Sequence, residues 1–317
     1  MSELPALPMA AHDPAHLRAD DLAVCLQILA EGSKSFAAAS RVLPARVRAP
    51  ASALYAFCRV ADDLVDTSGI ADAVPELERR LNAIYAGAPA MDAVDRAFAA
   101  VVLRSELPRA VPDALIEGFA WDVEGRTYED LSGVIAYSAR VAATVGVAMT
   151  VLMGSRDPHV IARACDLGVA MQLTNIARDV GEDARNGRIY LPLSWLREEG
   201  VDPAEILADP RHRPSVGRVV LRLLDEADRL YDRSMAGIGA LPLDCRLSIG
   251  SARKVYRDIG RIVREQRGDA FTSRAHTSRG RKLWLVLSSL DAIFASRVGL
   301  GAPPLPEVAF LVDAVAT

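Results

Sequence analysis

Two acidic side chains occur at helical spacing within an apolar stretch of the chain. Asp62 and Asp66 are four residues apart, so on a helix they lie on the same side, and Arg59 precedes Asp62 by three residues. Most other residues between 54 and 65 are apolar, which predicts a largely buried helix. Burying two like charges on one side of a helix costs free energy unless a positive ligand binds them. The pair therefore indicates a cation-binding position.

A second segment repeats this arrangement with three oxygen-bearing side chains. Asn175, Asp179 and Asp183 follow one another at intervals of four residues, and Arg178 stands beside Asp179. Hard divalent cations such as Mg²⁺ prefer oxygen ligands and commonly bridge carboxylates to the phosphates of a substrate. A single acidic pair is usually a solvated helix surface or half of a salt bridge. Two such groups in apolar surroundings predict that both helices face each other and hold metal ions with a diphosphate.

Two further segments offer donors for phosphate oxygens. Ser33, Lys34 and Ser35 follow Gly32 at a predicted helix end and would present two hydroxyls and an ammonium from a turn, although either serine could instead cap the helix. Residues 274–282 carry four cations within nine residues of an acidic protein. This basic patch suits a phosphate-rich ligand, and a solvated loop or a membrane-surface contact is the alternative. Its cations are Arg274, Arg279, Arg281 and Lys282.

The segment 137–153 is rich in small and apolar residues. Ala142, Ala143 and Gly146 would leave room beside a helix for an extended apolar ligand, or they would allow close packing against another helix. Both interpretations stay open from the residues alone. The uncharged stretch 141–155 is shorter than the ~20 residues of a membrane-spanning helix, which favours a buried core helix.

Helices must position all of these side chains, because apolar residues recur at three- and four-residue spacings along most of the chain. Glycine and proline mark the breaks between them, and no linker or repeat divides the chain. We predict one all-α domain over 15–300, between a flexible N-terminal tail, 1–14, and a C-terminal tail, 301–317. The predicted helices are 15–31, 46–67, 71–86, 91–105, 112–125, 130–154, 159–185, 214–236, 243–268 and 280–297.

Composition excludes several classes of protein. The 317 residues are 51% hydrophobic and 25% charged, which argues against a disordered or fibrous chain. A net charge of −4 makes a nucleic-acid-binding protein an unlikely class, so no nucleic-acid partner is expected. The four cysteines are far apart and form no zinc or disulfide pattern. Without a secretory signal pattern at the N-terminus, we expect a cytoplasmic protein.

Several motifs occur together between residues 21 and 282. They are Ser33-Lys34-Ser35-Phe36 with Leu43-Pro44, Cys58-Arg59 with Asp62 to Asp66, Tyr137 with Val141-Ala142, the run from Gln172 to Ala184, Gly187 to Pro192, and Arg274 to Ser278. In combination they resemble the synthases that condense two identical prenyl diphosphates head to head, the phytoene, dehydrosqualene and squalene synthase family. The bacterial phytoene synthase branch is the nearest likeness.

The resemblance implies a single helical bundle around a central apolar cavity, with the acidic helices facing each other at its mouth. It also implies Mg²⁺ or Mn²⁺ as cofactor, with no requirement for NADPH. The implied metal ligands are Asp62, Asp66, Asp179 and Asp183, with help from Asn175. The implied diphosphate ligands are Lys34, Arg59, Arg274 and Lys282, supported by Ser33, Ser35, Tyr137, Gln172 and Arg178. Either Tyr137 or the released diphosphate would assist a proton transfer.

The reaction implied by the resemblance joins two molecules of geranylgeranyl diphosphate into phytoene through a cyclopropyl diphosphate. It would release two diphosphates and begin carotenoid biosynthesis. Because the product is a hydrocarbon, we also expect peripheral contact with the inner face of the membrane. Three alternatives remain: a squalene or dehydrosqualene synthase that uses farnesyl diphosphate, a head-to-tail chain-elongating prenyltransferase, and a non-catalytic prenyl-lipid binding protein.

Overall fold

The computed structural model describes residues 16–32, 40–67, 70–206 and 210–316. These residues form α-helices joined by short loops and contain no β-strand, which confirms the predicted all-α class. The helices are α1 Ala19–Gly32, α2 Ala45–Thr67, α3 Ile70–Tyr85, α4 Ala93–Ser105, α5 Ala110–Val123, α6 Leu131–Leu152, α7 Pro158–Arg185, α8 Leu193–Glu198, α9 Arg213–Ile238, α10 Leu243–Glu265, α11 Arg279–Ser288 and α12 Ala309–Ala316.

The 28-residue helix α7 runs through the centre of the molecule and packs against α6, α9, α10 and α12. Its start follows from local chemistry: the Asp157 carboxylate accepts from the backbone N–H of His159 at 2.8 Å, and Pro158 occupies the first turn. Its buried residues are mostly apolar, whereas its polar side chains cluster toward the C-terminal end. The second acidic segment thus extends from the hydrophobic core.

Small residues let α6 and α7 approach each other closely. A Cβ atom on Gly168 would lie 2.6 Å from the Ala143 Cα atom, and one on Gly146 would lie 2.9 Å from the Ala164 carbonyl oxygen. Helix α6 is π-helical over Ala139–Ala143 at this contact. Its length and composition would suffice to cross a membrane, but most of it is buried against other helices of the protein, as predicted for a core helix.

The C-terminal region differs from the prediction in two places. The predicted helix 280–297 is an α-helix only over Arg279–Ser288, and Ser289–Phe294 continues as a 3₁₀-helix. The segment 301–317, expected as a tail, contains α12, whose Leu311 and Val315 are buried against the rest of the core. Their four-residue spacing is typical of a helix with an apolar side, but the segment is too short for this periodicity to be recognised in the sequence. The predicted N-terminal tail 1–14 lies outside the described residues.

Candidate active site

A cavity of about 300 Å³ lies between five helices of the bundle. Helices α2, α6, α7, α9 and α10 each contribute side chains to its wall, which is predominantly apolar. Representative lining residues are Leu54, Val141, Ala142, Val145, Gly146, Met149, Met153, Leu167, Met171, Ile238, Leu241 and Ile249. The small residues of α6 therefore serve both functions that the sequence left open, because Gly146 contacts α7 and also lines the cavity.

Polar side chains from both acidic segments enter this cavity. On α7, Gln172 and Asn175 line it, and the Asn175 side-chain amide donates to the side-chain Oε1 atom of Gln172 at 3.3 Å. On α2, Tyr55 and Cys58 line it, one helical turn before Asp62. Tyr256 of α10 completes the wall beside them. Both acidic helices thus contribute residues to the same cavity, and the joint metal site of their carboxylates stays a prediction.

On α2, one arginine holds two carboxylates. The Arg59 guanidinium lies 3.2 Å from Asp62 and 2.5 Å from Asp63, measured between nitrogen and oxygen. Asp63 had no part in the predicted site, although its position four residues after Arg59 is a signal for such an ion pair. Asp66 lies within α2, but its side chain is outside the described residues. Ser33, Lys34 and Ser35 are also outside them.

On α7, Asp179 binds two arginines that are far apart in sequence. Its Oδ1 atom accepts from Nε of Arg178 at 2.8 Å and from Nε of Arg274 at 2.8 Å. Arg274 also lies 3.3 Å from Glu182. Burial alone would raise the pKa of Asp179, but the hydrogen bonds from these two guanidinium groups outweigh it and hold the pKa below its ordinary value. Asp179 therefore stays charged beside two cations.

Asp183, one turn further along α7, has the opposite electrostatic environment. Burial raises its pKa to about 7, and the negative charges of Asp179 and Glu182 add to the effect. Arg188 only partly offsets them. A buried carboxylate with surplus negative charge around it is a position that a bound cation would stabilise.

The donor set fits Mg²⁺ with a phosphate ligand better than an all-protein metal cage. Among the side chains that the structure describes, no three Asp, Glu, His or Cys groups converge on a single point. Mg²⁺ usually binds one or two carboxylates and completes its shell with water and substrate phosphates. Asn175 lines the cavity, and Asp179 and Asp183 follow it at one-turn intervals on α7, while Asp62 follows the cavity-lining Cys58 by one turn on α2. These side chains offer such oxygen atoms on the two helices.

Tyr137 lies beside the acidic region rather than in the cavity wall. Its hydroxyl donates to the Asp122 carboxylate at 2.9 Å, and the hydroxyl of Tyr190 donates to the same carboxylate at 2.7 Å. The rings of Tyr137 and Tyr190 stack with centroids 4.9 Å apart. Burial and the nearby Asp122 raise the pKa of Tyr137 well above its ordinary value. Its part in proton transfer stays a prediction.

Sequence reasoning missed Asp122 and Tyr190. The signal for Asp122 was weak, since it is one acid near the end of the apolar helix α5. It nevertheless orients two tyrosines and is one of the charges that raise the pKa of Asp183. Tyr190 belongs to the motif from Gly187 to Pro192, where no chemistry had been assigned to it.

The predicted basic patch at 274–282 divides into two groups. Arg274 turns toward Asp179 and joins the acidic site. Arg281, in contrast, lies 3.0 Å from the buried Asp258 of α10 and above the ring of Trp284. Lys282 follows in the first turn of α11. Arg274 and Arg281 therefore point to two different places, and Arg274 is the one that contacts a predicted metal ligand, Asp179.

Two helices that carry acids and arginines and also line an apolar cavity agree with a match to a known family. The model of the squalene/phytoene synthase family matches residues 29–281. The chain belongs to this family. The phytoene synthase of Rhodobacter capsulatus is 57% identical over 305 residues, which cover 93% of this chain and 90% of the relative. The phytoene synthase of Cereibacter sphaeroides is 54% identical, with 93% of this chain and 88% of the relative covered.

Solved structures agree with the family on the fold. A crystal structure of a dehydrosqualene synthase in complex with a ligand superposes with a TM-score of 0.82 at 32% sequence identity. The superposition covers 89% of this chain and 99% of that one. The helical bundle described above is therefore the fold of an isoprenoid synthase.

Proposed function

We propose that this protein is a phytoene synthase that condenses two molecules of geranylgeranyl diphosphate head to head and thereby begins carotenoid biosynthesis. The observation that carries the proposal is that one cavity has both an apolar wall and polar side chains from the acidic helices. Its wall is mostly apolar, as a prenyl chain requires, and both acidic helices contribute polar side chains to it, Tyr55 from α2 and Gln172 and Asn175 from α7. High identity to two phytoene synthases over most of the chain favours this reaction over the others of the family.

The arginines of the site would bind the diphosphate groups. Arg59, Arg178 and Arg274 present guanidinium groups that are suited to paired phosphate oxygens, and each already contacts a carboxylate of the site. Lys34 and Lys282 are the further cations that we assign to this function. Asp62, Asp66, Asp179 and Asp183 would hold Mg²⁺ or Mn²⁺ with Asn175. The metal, when bound, supplies Lewis-acid stabilisation of the leaving diphosphate.

The apolar wall has a chemical purpose as well as a binding one. Loss of diphosphate from one substrate leaves an allylic cation, which the 2,3 double bond of the second substrate attacks. Loss of a proton then closes a cyclopropane ring, and a second loss of diphosphate, rearrangement and proton loss give the hydrocarbon. Water would capture either cation as an alcohol, so side chains such as Val145, Met149 and Leu167 protect the reaction by excluding it.

The test is product analysis with the purified protein, Mg²⁺ and either geranylgeranyl or farnesyl diphosphate. We expect a forty-carbon hydrocarbon from the first substrate, no need for NADPH, and loss of the product when a chelator is added. A thirty-carbon hydrocarbon from farnesyl diphosphate alone would assign the protein to the squalene and dehydrosqualene synthases. Diphosphate binding without any hydrocarbon would indicate a non-catalytic prenyl-lipid binding protein.

The low solubility of the product also indicates where in the cell the protein acts. A forty-carbon hydrocarbon is almost insoluble in water and must pass directly into a lipid phase. We therefore propose a cytoplasmic protein that contacts the inner face of the membrane peripherally.

A further inference from the structure

A run of large apolar side chains lies exposed on the surface of the C-terminal region. Half of the twelve large apolar residues that are exposed in the described part of the chain fall between 283 and 298. The exposed fractions of these six range from 54% to 89%. We call them the apolar face, and its members are Leu283, Trp284, Leu287, Leu290, Phe294 and Val298.

This segment is apolar on its inner side too, which fixes its orientation. Leu285 and Ala292 are buried, and a Cβ atom on Gly250 of α10 would lie 2.4 Å from the Ala292 Cβ atom. Lys254 of α10 donates to the Ser288 carbonyl oxygen at 2.6 Å. Since the inner side is held against α10, the apolar face points away from the protein and has no covering element among the described residues.

Cations border the apolar face. Residues 278–298 contain Arg279, Arg281, Lys282 and Arg297 but a single acid, Asp291, which gives a net charge of +3 in a chain whose total is −4. In the ion pairs between α10 and this segment, Lys254 lies 2.8 Å from Asp291 and Asp258 lies 3.0 Å from Arg281, and because Lys254 and Asp258 have opposite sign they leave the excess of +3 unchanged. A short helix with leucine and tryptophan on one side and arginine or lysine at its edge is typical of helices that lie in the interface of an anionic bilayer.

The charge also argues against a second copy of the chain as the occupant. In a symmetric dimer the same surface of both copies meets, so the cations of one apolar face would oppose those of the other. An anionic lipid surface, in contrast, would be attracted to these cations while the apolar side chains enter the acyl boundary. Trp284, with Arg281 stacked 4.4 Å from its ring centroid, combines both kinds of contact.

The segment that carries the apolar face packs on α10, which also lines the active-site cavity. Ile249, Ala252 and Tyr256 of α10 line the cavity, whereas Gly250 and Lys254 of the same helix contact the segment that carries the face. We infer that the apolar face and its cationic border dock the protein on an anionic lipid bilayer. The purpose of the docking, the transfer of an apolar product, rests on the proposed function. The binding to the bilayer does not depend on it.

Vesicle flotation of the full chain, without substrate, tests the docking. We expect the protein to float with vesicles of phosphatidylcholine that contain phosphatidylglycerol, and to float about tenfold less with phosphatidylcholine alone or at high salt. The double variant Leu283→Ser/Leu287→Ser should lose binding to the anionic vesicles by about tenfold or more. The matched control is Met91→Ser/Leu103→Ser, which removes two apolar side chains that are 92% and 54% exposed elsewhere and should float like the wild type.

A spectroscopic measurement locates the contact. Trp284 is the most exposed of the three tryptophans, since Trp121 is half-buried and Trp195 is buried. Lipids brominated in their acyl chains should quench tryptophan emission of the wild type and of the control, but much less in Trp284→Phe. Circular dichroism and thermal unfolding verify that each variant is folded.

Three results would overturn the docking surface. They are the absence of binding to anionic vesicles, binding that the Leu283→Ser/Leu287→Ser variant retains in full, and a wild-type dimer in sedimentation that this variant alone abolishes. The last result would assign the face to a second copy. Hydrocarbon formation by a protein that does not float would leave the proposed reaction intact and remove only this inference.

Discussion

At the scale of single residues, Asp179 connects two arginines of the site. It joins Arg178, its neighbour in α7, to Arg274, which is 95 positions away in sequence. We predict that Asp179→Asn lowers kcat by about two to three orders of magnitude, because the substitution removes a charged ligand where the leaving diphosphate is stabilised. Steady-state kinetics with geranylgeranyl diphosphate measure this change in kcat.

A matched control for Asp179 is Asp113→Asn, which breaks an exposed ion pair with Arg109, and neither residue of that pair lines the cavity. It should retain wild-type kcat, since exposed pairs contribute little. Full activity of Asp179→Asn, with an unchanged circular dichroism spectrum, would contradict the role that we assign to Asp179.

Asp183 gives a prediction about pH. Its pKa of about 7 in the folded protein lies above the ordinary value, so the folded state holds a proton that the unfolded state has already released. The stabilising contribution is therefore complete below about pH 4 and is lost as pH rises toward 7. In the presence of a chelator, the free energy of unfolding should fall through this range by at most about 1.4 kcal/mol per pH unit from this group.

The variant Asp183→Asn isolates that contribution. It should lack this part of the pH dependence, and at pH 8 without metal it should be more stable than the wild type. Urea unfolding at several pH values measures both proteins. Addition of Mg²⁺ should stabilise the wild type at pH 8 more than the variant, which keeps the other proposed ligands. Identical pH profiles for the two proteins would refute the assignment.

At the scale of elements, the contact between α6 and α7 positions the acidic site along the cavity. A methyl group at Gly168 would lie 2.6 Å from the Ala143 Cα atom and 2.8 Å from the Ala142 carbonyl oxygen, both of which belong to backbone. We predict that Gly168→Ala destabilises the protein by about 1–3 kcal/mol, because the helices must move apart. Gly280→Ala is the matched control, since no atom lies within 4 Å of its Cβ position.

The two glycine variants should change stability with opposite sign. Alanine at Gly280 gains helix propensity and should stabilise the protein by up to about 1 kcal/mol. Denaturant midpoints of both variants provide the measurement. Equal shifts of the two midpoints in the same direction would show that the contact between α6 and α7 does not require glycine at position 168.

The long helices were predictable from the sequence, whereas the contacts between distant residues were not. Periodic apolar residues and flanking Gly or Pro predicted α7 as 159–185, and the structure has Pro158–Arg185. The two acidic segments could also be recognised from the sequence, because the four-residue spacing of the polar side chains lies within each segment. The carboxylate of Asp122 receives hydroxyls from Tyr137 and Tyr190, positions 15 and 68 residues away, and no local pattern encodes such a contact.

At the scale of the whole molecule, the C-terminal end of the chain returns to the cavity wall. Arg163 of α7 lines the cavity, is almost fully buried, and pairs with Asp166 at 2.9 Å. The same guanidinium donates to the carbonyl oxygens of Gly299 at 3.4 Å and Pro303 at 3.3 Å. A segment that looked like a tail is thereby tied to the helix that carries the acidic site.

Helix α12 then completes the core behind α7, which gives a prediction about the stability of the whole fold. The Leu311 side chain is fully buried at 0% exposure, whereas Asp313 two residues later is exposed. Leu311→Ala should lower the free energy of unfolding by about 2–4 kcal/mol through the cavity that it leaves, and Asp313→Ala should change it by less than about 0.5 kcal/mol. Because the described residues that line the cavity include none from α12, kcat of Leu311→Ala at low temperature should stay near the wild-type value while the midpoint of thermal inactivation falls. If Leu311→Ala were as stable as Asp313→Ala, the C-terminal segment would be a tail after all.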